Sequence, residues 1–163
     1  MILRNLTLAL IACSGLLLVA GAHADEDPLH KGGFHYNQAG QTPPHDDGLY
    51  QDLGGSEKIA TFTKDFVGMI VKDEQIGHFF QGVNTDRLTR MLTAQFIELS
   101  GGPAAYKGRE MAETHAGMGV TNADFNRLAE ILQIAMDNNG VPFSTQNRLV
   151  ALLASMQRDV VTK

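Results

Sequence analysis

The chain has 163 residues, a formal net charge of −5, one Cys and no Trp. That length suits one domain with a tail. An acidic balance without a basic block excludes general nucleic-acid binding.

The first 24 residues carry a single charged side chain, Arg4, and the run from Leu6 to Ala20 is almost wholly apolar. Arg4, the apolar core and Ala22-His23-Ala24 together read as a signal peptide with an A-x-A cleavage site. Cleavage after Ala24 removes 24 of the 163 residues and leaves 139, with the charge moving from −5 to −6 as Arg4 is lost. Cys13 leaves with the signal, so the expected product has no disulfide, no thiolate nucleophile and no Cys metal ligand. No later apolar stretch approaches the roughly 20 residues needed to span a bilayer. The product is therefore expected to be soluble, exported to the periplasm and free of the membrane. Retention of the segment as an anchor is the competing reading. Leu10-Ile11-Ala12-Cys13 also resembles a lipoprotein signal, but the apolar run Gly15 to Gly21 stands where polar residues should follow a lipidated Cys.

Residues 25–45 read as a flexible tail. They hold Gly32-Gly33, Pro43-Pro44 and few aliphatic side chains, too little apolar surface to offset the entropy of ordering. His30, His35 and His45 are spaced by five and ten residues, which matches no compact metal motif.

From residue 46 to 163 the pattern is helical. A short first segment ends at Gly54-Gly55, and Ser56 is placed to cap the next helix, whose apolar face is Ile59, Phe62, Phe66 and Met69/Ile70. That helix should run to about Asp73, before a turn-like stretch reaching Phe79-Phe80. Thr85 can cap a helix with Leu88, Met91/Leu92, Phe96 and Leu99 on one face, stopped by Gly101-Gly102-Pro103. Residues 103–120 are Gly-rich, with room for a short helix between about Arg109 and Ala116. Thr121-x-x-Asp124 forms a capping-box signature, followed by the face Phe125, Leu128, Leu132, Ala135/Met136. Asn139-Gly140 and Pro142 end that helix, and a last one runs from near Ser144 with Leu149, Leu152/Leu153, Met156 and Val160 inward. Alternating strand patterns and internal repeats are absent. The fold class is all-α.

The ordered set Leu49-Tyr50-Gln51-Asp52-Leu53-Gly54-Gly55, Phe66, Asp73, Phe79-Phe80, Gly101-Gly102-Pro103, Tyr106-x-Gly108, Met111-x-x-x-His115-Ala116-Gly117-Met118-Gly119-Val120-Thr121 and Phe125 resembles the group I truncated haemoglobins. The resemblance covers about Leu49 to Val160. It implies a two-over-two α-helical sandwich around haem b (iron protoporphyrin IX), with a loop replacing most of the proximal helix. His115 matches the proximal iron ligand, and His is the usual axial ligand in globins. Its imidazole must be neutral to bind iron through Nε2, with Nδ1–H held by a backbone carbonyl. Phe80 matches the aromatic that lies on the haem face, and Phe79 its neighbour. Phe66, Leu88, Met111 and Phe125 match other haem-lining positions. Tyr106 and Arg109 lie where relatives approach the propionates.

The distal side departs from the family. Val67 stands where members carry Tyr, and Leu88 and Leu92 stand where they offer Gln, so the usual donors to a bound gas are missing. Gln95, one turn beyond Leu92, is the polar side chain with a route inward. The expected function is reversible binding of O2, CO or NO in an apolar distal pocket, with NO dioxygenation as a weaker enzymatic reading. An exported redox or gas-sensing protein with Met91 as sixth iron ligand is the alternative, since thioether ligation beside His raises the potential. Met91 as a flexible core filler competes with that role. His78 is placed at the pocket rim or in solvent. The partners implied are a diatomic gas and an electron donor that keeps the iron ferrous.

Overall fold

The structure is a computed structural model, and it describes residues 47–103 and 106–163. The expected signal peptide at 1–24 and the tail at 25–45, with His30, His35 and His45, lie outside the described residues.

The described residues form helices and turns without a strand. In chain order they are α1 (Asp47–Asp52), α2 (Gly55–Ile70), a 3₁₀ turn (Gly77–Phe80), α3 (Thr85–Leu99), α4 (Met111–His115), α5 (Asn122–Asn138), α6 (Phe143–Ala154) and α7 (Gln157–Val160). Helix α2 packs against both α3 and α5, and α5 packs against α6, so two helix pairs share one interior. The short α4 packs on α7.

The periodic apolar faces explain this arrangement. Ile59, Phe62, Phe66 and Ile70 recur on one side of α2 and are buried against Phe96 of α3 and Leu132 and Met136 of α5. The Phe96 ring stacks on Phe62 with centroids 6.1 Å apart and tilts against Phe66 at 6.2 Å. Burying aromatic side chains of this size stabilises the pair by about 2–3 kcal/mol each.

The helix ends differ in part from the sequence expectation. Thr121 and Asp124 form the expected capping box at the start of α5. Ser56, expected as a cap, lies inside α2, and the N-cap is Gly54 at φ 88. A left-handed N-cap turns the chain too early for a Ser cap, and Gly is the residue that adopts it without strain. Ser56 instead bonds the Tyr50 hydroxyl at 2.7 Å. At α3 the cap is Asn84, whose side chain accepts from the Arg87 N–H at 2.9 Å, and Thr85 is the first helical residue. Helix α2 ends at Ile70 rather than near Asp73, because the Asp73 carboxylate takes the N–H groups of Gln75 and Ile76 and turns the chain. The last helix is broken at Ser155-Met156 into α6 and α7.

Past α7 the chain returns to the segment after α4. The N–H of Thr162 donates to the Val120 carbonyl at 2.9 Å, and the Val120 N–H donates to Thr162 Oγ1 at 3.1 Å. This clip fixes the loop that follows His115.

Candidate functional site

An apolar cavity of about 200 Å³ lies between the helix pairs. Phe66 and Ile70 of α2 and Phe80 of the 3₁₀ turn form one end of its wall. Helix α3 contributes Leu88, Met91, Leu92, Gln95 and Phe96, which fall on one face at steps of three and four. Opposite them stand Met111, Thr114 and His115 of α4, with Tyr106 from the preceding loop. Phe125, Leu128 and Ala129 of α5 close the floor, with Val150, Leu153, Met156 and Val160 from the C-terminal helices. Among the described residues, no Asp, Glu, Lys or Arg lines this cavity.

His115 is the last residue of α4 and is partly buried. Its Nδ1 lies 2.8 Å from the Met111 carbonyl oxygen, one turn back. A carbonyl can only accept, so Nδ1 carries a proton, and in the neutral ring Nε2 keeps the lone pair. The following Gly117 and Gly119 adopt φ 75 and 71, which ends the helix and turns the chain toward the Val120 clip. An imidazole held at Nδ1 by a backbone carbonyl, beside an apolar slot walled by aromatic rings, is a donor set that fits haem.

Tyr106 sits at the cavity edge. Its N–H donates to the Glu98 carboxylate, and its hydroxyl donates to the Arg109 carbonyl at 3.4 Å. Burial pushes its phenol above the ordinary value, with nearby Arg109 acting in the opposite direction. Arg109 itself is exposed.

The structure thus brings together Phe66, Phe80, Leu88, Met91, Leu92, Tyr106, Met111, His115 and Phe125 around one cavity. Val67 is 2% exposed but belongs to the packed core of α2 and is not among the lining residues. Phe79 lines a smaller adjoining pocket of about 70 Å³, which shares Phe80, His115, Leu128 and Val160 with the larger one. His78 is exposed, and its ring lies tilted against Phe79 with centroids 3.9 Å apart. Sequence reasoning placed Ile70, Phe96, Leu128, Leu153, Met156 and Val160 on apolar faces without assigning them to the site. Their periodicity marked them as inward-facing, but which faces share a cavity depends on helix pairing. Thr114, Ala129 and Val150 gave no signal.

Residues 48–162 match the bacterial-like globin family. The chain is 30% identical over 115 residues to the group 1 truncated haemoglobin of Tetrahymena pyriformis, a match spanning 71% of this chain and 95% of the relative. It is 31% identical over 114 residues to that of Mycolicibacterium paratuberculosis, spanning 70% of this chain and 84% of the relative. Among solved structures, the Tetrahymena pyriformis truncated haemoglobin in its Fe(III) form superposes with a TM-score of 0.68 at 30% identity, covering 71% of this chain and 98% of that one. The 2/2 haemoglobin of Synechococcus sp. PCC 7002 shares the fold, with a TM-score of 0.64 at 24% identity over 71% of this chain and 98% of that one.

Proposed function

Because the chain belongs to the bacterial-like globins and, within them, to the two-over-two group 1 truncated haemoglobins, we propose that it binds haem b through His115 and takes up diatomic gases in an apolar distal pocket. The observation that carries this reading is the His115 Nδ1 contact to the Met111 carbonyl, which leaves Nε2 as the coordinating atom. Haem, when bound, supplies an iron that takes O2, CO or NO reversibly. The chain's own residues do the rest. His115 holds the iron from α4, Phe80 and Phe125 offer flat apolar surface, and Tyr106 with Arg109 stands at the edge where propionates would meet solvent. Phe66, Leu88, Leu92 and Phe96 exclude water and admit an uncharged gas. With Leu88 and Leu92 on the distal face and Val67 behind it, dioxygen receives little hydrogen-bond support and leaves readily. That property favours exchange of gas over NO dioxygenation.

The test is His115→Gly. The variant should bind haem weakly, and free imidazole should restore the wild-type spectrum by occupying the vacated ligand position. A variant whose spectrum matches wild type without imidazole would rule out His115 as the ligand.

A second reading rests on Met91, whose side chain lines the same cavity as His115. A thioether on the sixth position would make the protein a redox carrier or sensor outside the cytoplasm, served by an electron donor. Met91→Leu keeps the volume and removes the sulfur. A ferrous spectrum changed by this substitution favours the redox reading, and an unchanged one leaves gas binding.

We also propose that residues 1–24 are removed on export to the periplasm. N-terminal sequencing of the secreted product should begin at Asp25, and a product that retains Met1 would refute cleavage.

A further inference from the structure

Gln95 is 4% exposed on a face of α3 that otherwise presents Leu88, Met91, Leu92 and Phe96. A buried amide needs a partner, because leaving one unpaired is costly. Its Nε2 donates to the Met111 sulfur at 3.8 Å, a contact that runs from α3 across to α4. The thioether is a weak acceptor, so the contact acts mainly by holding the Met111 side chain in place.

Met111 also holds His115, because its carbonyl oxygen accepts the Nδ1 proton. One residue is therefore tied at its side chain to the distal helix and at its main chain to the imidazole. Helix α4 has five residues and no side-chain N-cap bond, so it has little intrinsic stability of its own. External contacts fix its first turn.

We propose that Gln95 is a positioning residue for His115. By anchoring Met111, it sets how firmly the Met111 carbonyl takes the Nδ1 proton. A carbonyl that accepts this proton makes the ring a stronger donor at Nε2. The distal helix thus tunes the proximal ligand through a sulfur contact. The proposal rests on the haem-binding reading above.

The test uses ferrous protein loaded with haem and reads the iron–histidine stretching frequency by resonance Raman. Gln95→Met keeps the length and removes the N–H. Met111→Leu keeps the volume and the carbonyl and removes the sulfur. Each variant should lower the frequency, and the double variant should lower it no further than either single one. Frequencies equal to wild type would overturn the proposal, as would additive shifts, which signal two independent packing effects. In the haem-free chain, labelled with 13C at methionine methyls, the Met111 resonance should move in Gln95→Met, and an unmoved resonance would overturn the contact. If the wild-type chain took up no haem, the gas-binding reading would fall and this proposal with it. With haem bound and frequencies unmoved, only the proposal falls.

Discussion

Tyr106 shows how a single backbone position shapes the cavity wall. Gly108 is buried beneath its ring, and a Cβ added there would come within 2.0 Å of the Tyr106 Cζ and hydroxyl oxygen. Gly108→Ala should therefore push the ring outward, and the Tyr106 phenol, raised by burial, should move back toward its ordinary value. Ultraviolet titration of the tyrosines reads this directly; a phenol that titrates as in wild type would contradict it. The distal side offers a second test. Leu92 lines the cavity, and an amide introduced there by Leu92→Gln would give a gas bound in it a donor. One net hydrogen bond of about 1 kcal/mol corresponds to dioxygen release slowed about fivefold. Stopped-flow dissociation should show the slowing, and an unchanged rate would mean that the residue does not reach the gas. That His115, Phe80, Met91 and Met111 line one cavity agrees with a pattern whose order along the chain is specific. What stayed hidden was the non-lining placement of Val67, since a two-dimensional helical wheel does not say which buried side chain ends at a cavity.

At the level of elements, the turn after α2 is fastened to α5 by charge. Arg127 Nη2 lies 2.9 Å from Asp73 Oδ2, and its Nε donates to the same oxygen at 3.0 Å. The Arg127 hydrogen bond holds the Asp73 carboxyl below its ordinary value, helped by the Ile76 and Gln75 N–H groups. A depressed folded value means that this contribution is fully present above the unfolded carboxylate value. It is lost as the pH falls through the lowered one. Asp73→Asn should therefore lower Tm at neutral pH, with the gap to wild type closing as the medium becomes strongly acidic. A gap constant with pH would show that the ion pair is not its source. The helices themselves were readable from spacing: the apolar faces at steps of three and four became α2, α3, α5 and α6. Their ends were less so. Thr121-Asp124 caps α5 as its signature suggests, yet Ser56 and Thr85 yield to Gly54 and Asn84. A cap depends on the φ and ψ with which the preceding loop arrives, and packing of that loop decides them.

For the molecule as a whole, two helix pairs leave an apolar cavity that a plain bundle would fill with side chains. A folded chain with such a space gains stability from a ligand that occupies it. Free haem at a hundredfold excess over Kd should stabilise the fold by about 2.7 kcal/mol. Tm should accordingly rise with haem concentration in calorimetry, and a concentration-independent Tm would contradict binding to the native state. The all-α class and the helix order were legible in the sequence. The tie from Gln95 through Met111 to His115 was not, because it links residues on different helices through one side-chain rotamer and one carbonyl.

Haem binding through His115 is tested most directly by the absorption spectrum of the haem-reconstituted protein, ferric and ferrous, with and without CO. Haem addition should produce a Soret band, the ferrous form should be five-coordinate, and CO should shift the Soret band sharply. Absence of a Soret band, or a six-coordinate ferrous spectrum that CO leaves unchanged, would contradict a gas-binding globin held through His115.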